Sequence, residues 1–204
     1  MNVVVVDHGL CNVGSVRRAL EECGARVHVS DDPRSLTDDV THVVLPGVGS
    51  FRAGMDQLHR LEWVTPLRAI AASGNATVLG ICLGMQLLAD SGTEGGETEG
   101  LGLIPGRVTR IVPREGERVP HVGWNDVQVA QPSPLFDGVP RDTDFYFVHS
   151  YQFVTESPSH RIASVDYCGT IAAAVGRGRV FGVQFHPEKS SKAGFQLLRN
   201  YLAI

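Results

Sequence analysis

Along the first ninety residues the hydrophobic positions change period repeatedly, from unbroken apolar runs to helically spaced ones and back. "NVVVVD" (2–7) is a continuous β-branched run, the pattern of a parallel strand covered on both faces. "NVGSVRRALEECG" follows, with Val13, Val16, Ala19, Leu20 and Cys23 at helical spacing and Gly24 as a stop. "ARVHVS" and "THVVLPG" read as the next two strands, the second ending at Pro46. "SFRAGMDQLHR" and "WVTPLRAIAASG" read as helices, Pro66 being tolerated in a first turn. "ATVLGI" is the fourth strand, and Cys82 opens a helix over "CLGMQLLAD". Such alternation predicts right-handed βαβ units, hence an α/β fold with an open, mostly parallel twisted sheet flanked by helices.

After "SGTEGGETEGLG", which reads as an exposed Gly/Glu-rich loop, the period shortens. "GRVTRIV", "NDVQVA", "FYFVHSYQFV", "RIASVDY", "TIAAAV" and "RVFGVQF" are strand-like, giving a β-rich second half closed by the amphipathic helix "SSKAGFQLLRNYLAI". No repeat or low-complexity tail interrupts the pattern, so residues 1–204 are expected to form one domain.

Composition narrows the function classes. A net charge of -4 and the lack of any long Lys/Arg run argue against nucleic-acid binding. No apolar stretch approaches the ~20 residues a bilayer span requires. Asp7 interrupts the N-terminal run where a secretory h-region would continue. The four cysteines, Cys11, Cys23, Cys82 and Cys168, show no CxxC spacing and are expected to be reduced thiols of a cytosolic protein. No His/Cys/Asp cluster has metal-ligand spacing, and no organic cofactor is implied.

Candidate chemistry gathers at the carboxyl ends of the predicted strands, where open α/β sheets place their sites. "GICLG" fits a G-x-nucleophile-x-G elbow, a sharp strand-to-helix turn that holds Cys82 in a crowded conformation. Gly80 and Gly84 lack the Cβ atoms that would clash there, and a helix N-terminus aimed at the sulfur favours a thiolate. Taken alone, a small residue packed between two glycines would give the same letters. A nucleophile also needs a base. His8, His28, His42, His59, His121, His149 and His160 read individually as surface or loop residues. His186 closes an apolar strand and is stopped by Pro187, with Glu188 two residues on, placed to fix the imidazole tautomer. In "LPGVGSF", Gly47 and Gly49 allow close backbone approach, so the Val48 and Leu83 N–H groups are candidate oxyanion donors.

With "PGVGSF", "GICLGMQLL" and "QFHPEKS" in this order, the chain resembles the triad (class I) glutamine amidotransferases from end to end. "PHVGWN", "FYFVHSY" and "HPEKSSKAG" are similar to the histidine-biosynthetic branch of that family. The resemblance implies a flavodoxin-like fold and hydrolysis of glutamine, with Cys82 attacking the side-chain amide, His186 moving the proton and Glu188 orienting it. It also implies that positions Gly49, Gln86, Glu94, Ser150 and Tyr151 hold the substrate's α-amino and carboxylate groups. Ammonia in that branch passes to a (β/α)₈-barrel cyclase that makes imidazole glycerol phosphate and an aminoimidazole carboxamide ribonucleotide. Asn12, Trp124, Tyr146 and Lys189 match the docking surface for that partner in a heterodimer. A glutaminase of another pathway, such as pyridoxal phosphate synthesis, or a partner-independent thiol hydrolase is the alternative; "HVGWN" and "HPEKSSK" weigh against the first and Gln86 with "VHSY" against the second.

Overall fold

Four consecutive valines, Val3 to Val6, are all buried, and alternation sends Val3 and Val5 into one core and Val4 and Val6 into the other. Burial of each such side chain stabilises by about 1.5–3 kcal/mol. The computed structural model describes residues 1–204. Strand β1 (Asn2–Val6) leads to α1 (Val13–Glu22), β2 (Arg26–Ser30), β3 (His42–Gly47), α2 (Phe51–Arg60), α3 (Val64–Ser73), β4 (Thr77–Cys82) and α4 (Leu83–Leu87). The second half runs β5 (Ser91–Gly92), β6 (Thr98–Glu99), β7 (Gly106–Arg110), β8 (His121–Val129), β9 (Thr143–His149) and β10 (Tyr151–Thr155). It ends with β11 (Arg161–Asp166), β12 (Thr170–Arg177), β13 (Val180–Val183) and α5 (Ser191–Ala203).

Nine strands form one sheet in the order β2-β1-β3-β4-β13-β12-β11-β8-β9. From β2 to β13 every pairing is parallel, and from β13 to β9 every pairing is antiparallel. The expected α/β architecture is present, its parallel half supplied by the first ninety residues and one late arrival. That arrival, β13, pairs with β4 in the register Val183↔Ile81. The last strand of the chain therefore lies beside the strand that carries Cys82, and the residues just past Val183 are level with the sulfur.

Three local expectations need correction. The helix after Cys82 closes at Leu87 instead of continuing to Asp90, because the carbonyls of Leu87, Leu88 and Ala89 accept from the N–H groups of Leu101, Leu103, Ile104 and Gly102. Downstream backbone thus takes over the last turn's acceptors. "SGTEGGETEGLG" is not a plain exposed loop. It contributes β5 and β6 to a second, four-stranded sheet (β10-β7-β5-β6), and Gly92 and Gly100 are buried against Phe51 and the Ala89 carbonyl. "FYFVHSYQFV" is two strands, β9 in the large sheet and β10 in the small one, with Ser150 at the break. No helix is long and apolar enough to cross a membrane.

Candidate active site

Cys82 adopts φ 55°, ψ −112°, a backbone conformation that non-glycine residues rarely hold and that costs of order 1–3 kcal/mol. The surrounding glycines are what permit it. A Cβ on Gly84 would sit 1.7 Å from the Leu45 carbonyl oxygen, and one on Gly80 would sit 2.6 Å from the Gly84 oxygen. The start of α4 is therefore pressed directly on β3 and β4, and the turn lifts the sulfur to the sheet's carboxyl edge.

A cavity of about 520 Å³ opens at that edge. Its walls include Cys82, Leu83 and Gln86 from the elbow, Val48 and Gly49 after β3, Glu94, and the Val148–Tyr151 crossover between the two sheets, with His186 completing the rim. The sulfur and the imidazole thus face one space, together with every residue the resemblance places on glutamine. A larger groove of about 600 Å³, between β8 and the Pro134–Phe136 turn, has neither cysteine nor histidine in its walls.

Glu188 lies behind His186. Its carboxylate accepts from His186 Nδ1 at 2.8 Å, and the two side chains are 2% and 5% exposed. A carboxylate only accepts, so Nδ1 carries the hydrogen and Nε2 is free, without a protein hydrogen-bond partner. Burial pulls the imidazole's pKa down, but the neighbouring Cys82 sulfur and the Glu188 carboxylate outweigh it and raise the value to about 9. Removing the sulfur in Cys82→Ala therefore moves the His186 titration midpoint downward, as proton NMR of the imidazole would register; a midpoint unmoved from wild type would refute that coupling.

The backbone of the oxyanion strip is occupied elsewhere. Val48 N–H donates to the Leu10 carbonyl at 2.8 Å, so this candidate donor is engaged by the turn after β1 and not offered to the sulfur. Cys11 in the same turn donates to Asp7 Oδ1 at 3.4 Å, and burial, helped by Asp7, pushes its thiol up to about 11.

Glu94 is half-buried; its Oε2 accepts from Phe51 N–H at 3.1 Å, and burial raises its pKa above the usual carboxylate range. Gln86 Nε2 donates to the Tyr151 carbonyl at 3.2 Å and to Gln184 Oε1 at 3.0 Å. Trp124 is 53% exposed, packed edge-to-face on its cross-strand neighbour Tyr146, with Lys189 Nζ 5.8 Å from the Tyr146 ring centre. These three form one surface cluster, whereas Asn12 is exposed at the start of α1 and its side chain makes no capping bond.

Four histidines read as surface or loop residues are instead buried: His8, His42, His121 and His149. Each has at least one partner far away in sequence, Pro46 for His8, Tyr201 for His42, and each other for His121 and His149, so local context hid them. His8 Nε2 lies 2.8 Å from the Pro46 carbonyl and braces the carboxyl end of β3. His149 lines the cavity and forms a chain with His121: His149 Nδ1 reaches the Tyr151 carbonyl at 2.8 Å and His149 Nε2 reaches His121 Nδ1 at 3.0 Å. The carbonyl can only accept, so His149 Nδ1 donates and His121 Nδ1 donates in turn. Burial lowers both imidazoles to about 4, which keeps them neutral and the chain one-directional at neutral pH. Gln184, a fully buried polar residue two positions before His186, was not among the sequence candidates; the signal was a polar side chain interrupting the apolar run "RVFGVQF".

The profile of the family described as "Glutamine amidotransferase class-I" matches residues 4–203. "Imidazole glycerol phosphate synthase subunit HisH" of Moorella thermoacetica is 44% identical over 199 residues, covering 98% of this chain and 93% of the relative. The protein of the same name from Symbiobacterium thermophilum is 47% identical, covering 98% and 92%. Among solved structures, "Structure of PurLQS from Thermotoga maritima" superposes with a TM-score of 0.77 at 21% identity over 99% of this chain and 97% of that one, a likeness of fold.

Proposed function

The chain belongs to the class-I glutamine amidotransferase family, and from that premise we propose that it is the glutaminase subunit of imidazole glycerol phosphate synthase, acting in histidine biosynthesis. The observation that carries the reading is the single cavity shared by a strained Cys82 and a Glu188-held His186. Cys82 Sγ attacks the side-chain carbonyl carbon of glutamine, and His186 Nε2 takes the thiol proton and delivers it to the departing nitrogen. Ammonia leaves and a γ-glutamyl thioester remains. Water activated by the same imidazole then cleaves the thioester, releasing glutamate and restoring the thiol. Glu188 keeps the imidazole in the tautomer that serves both steps. Gly49, Gln86, Glu94, Ser150 and Tyr151 surround the substrate's α-amino and carboxylate ends, and the Leu83 and Val48 N–H groups serve the oxyanion.

Ammonia passes in the cytoplasm to a (β/α)₈-barrel cyclase docked on the exposed Trp124, Tyr146 and Lys189 cluster and on Asn12. The Val48–Leu10 hydrogen bond gives that docking a role. Leu10 is two residues from Asn12, so a partner pressing on this turn can release Val48 N–H, whose peptide plane turns about the ψ of Gly47. One oxyanion donor contributes about 10²–10³-fold in turnover. Glutamate release should therefore be nearly silent for the chain alone and rise by about 10²–10³-fold or more with a purified barrel synthase and its nucleotide ligand. Equal turnover with and without them would defeat the proposal.

A further inference from the structure

Gln184 is fully buried, one residue past β13 and level with Cys82. A buried primary amide must place both its carbonyl and its NH₂, and a chain of one-way contacts decides which end goes where. The Tyr151 carbonyl can only accept, so Gln86 presents its NH₂ group there, at 3.2 Å. The same Gln86 Nε2 lies 3.0 Å from Gln184, which must answer with Oε1. Reversing the Gln184 amide would set donor against donor. Its own Nε2 is thereby directed at Cys82 Sγ, 3.9 Å away. The other protein atom bonded to the sulfur is the Val148 carbonyl oxygen, also at 3.9 Å, which suits a thiol and repels a thiolate.

We infer that Gln184 is a positioning residue for the thiol chemistry: its N–H donates to Cys82 Sγ and favours the anionic sulfur, while its carbonyl ties that contact to Gln86 on the cavity wall. The inference rests on Cys82 being the nucleophile. When His186 takes the thiol proton, the sulfur changes from donor to acceptor, and the contact with Val148 turns unfavourable as the one with Gln184 strengthens. Gln184 thus contributes most when charge sits on sulfur, which makes its effect one on turnover more than on substrate binding.

The test uses the complex with its barrel synthase carrying Gln184→Met, which keeps the volume and removes both polar ends, and Gln184→Asn, whose shorter arm cannot span from Gln86 to the sulfur. For each folded variant kcat for glutamate release should fall about tenfold, with KM within about threefold because Gln86 keeps its Tyr151 contact. The pH profile of iodoacetamide alkylation, read by mass spectrometry on the Cys82 peptide, should move about one unit to the alkaline side, the equivalent of that tenfold change. His186, His149, Glu94 and Tyr151, the other titratable groups around the cavity, and Glu188 behind His186 are unchanged in the variants, so the displacement reports the lost donor. A profile that coincides with wild type overturns the inference. Full activity in Cys82→Ala would instead overturn the nucleophile, and this inference with it.

Discussion

Cys82→Ala is expected to cut glutamine-dependent turnover of the complex by about 10⁴-fold or more, while turnover supplied with ammonium salt at alkaline pH stays within about twofold of wild type. The two halves follow from different parts of the molecule. Without sulfur there is no thioester, and the remaining oxyanion donors and binding contacts retain only the residual catalysis that sites of this kind keep once the nucleophile is gone. In the proposed reading the acceptor chemistry lies on the partner, and the residues proposed to dock it, Trp124 and Tyr146, belong to β8 and β9 and not to the elbow. The substitution takes two hydrogen-bonding neighbours from the sulfur, both at 3.9 Å, and leaves the ladder that positions β4 untouched. Assays run side by side with glutamine and with ammonium chloride provide the measurement. Loss of both activities would mean that Cys82 holds the complex together, and retention of both would remove the sulfur from the chemistry.

How much of this was legible beforehand depends on the range of each interaction. Strands β1, β3 and β4 announce themselves because a strand covered on both faces needs an unbroken apolar run, and composition alone records that. Cys82 and His186 stand out because glycines and a proline mark the chain breaks on which they sit. The parallel neighbour of β4 did not stand out, since nothing in "RVFGVQF" says which strand it will join. The short α4 is set by backbone donors more than a dozen residues downstream, and a helical pattern cannot register them. His121 and His149 are 28 residues apart and meet only because β8 and β9 pair. Trp124 has the composition of a core residue, and only its outward register on an edge hairpin exposes it. The Val48 contact involves main-chain atoms that every residue carries, so no letter of the sequence encodes it. Substrate-side candidates were legible only through the resemblance to a family, because Gln86, Glu94 and Ser150 are ordinary polar residues until the fold brings them around one cavity.

Gly84→Ala should be the most destabilising single methyl addition in the site, lowering the melting temperature by about 10 °C or more. The added Cβ would fall 1.7 Å from the Leu45 carbonyl oxygen and 2.7 Å from its carbon, both backbone atoms of a fully buried residue. Leu45 cannot step aside, because β3 is paired on both flanks: with β1 through Val5↔Val44 and with β4 through Leu45↔Gly80. Nor can α4 retreat, since Met85 and Leu87 on that helix are fully buried in the core cluster that holds Leu45. Ordinary overpacking costs about 1–3 kcal/mol where side chains can give way. Here backbone must move, so about 4 kcal/mol is a reasonable floor, and for about 200 residues each kcal/mol lowers the melting temperature by about 2–4 °C. Gly14→Ala supplies the comparison: Gly14 lies on exposed α1 with open space around it, and alanine there should be neutral or stabilise by up to about 1 kcal/mol. Because the clash pushes at the first turn after Cys82, any Gly84→Ala protein that remains folded at low temperature should also lose glutaminase activity as its elbow relaxes. Calorimetry on the two variants decides the matter: equal melting temperatures would mean that the helix is not pressed against β3, and that something other than glycine packing holds the sulfur in its strained pose.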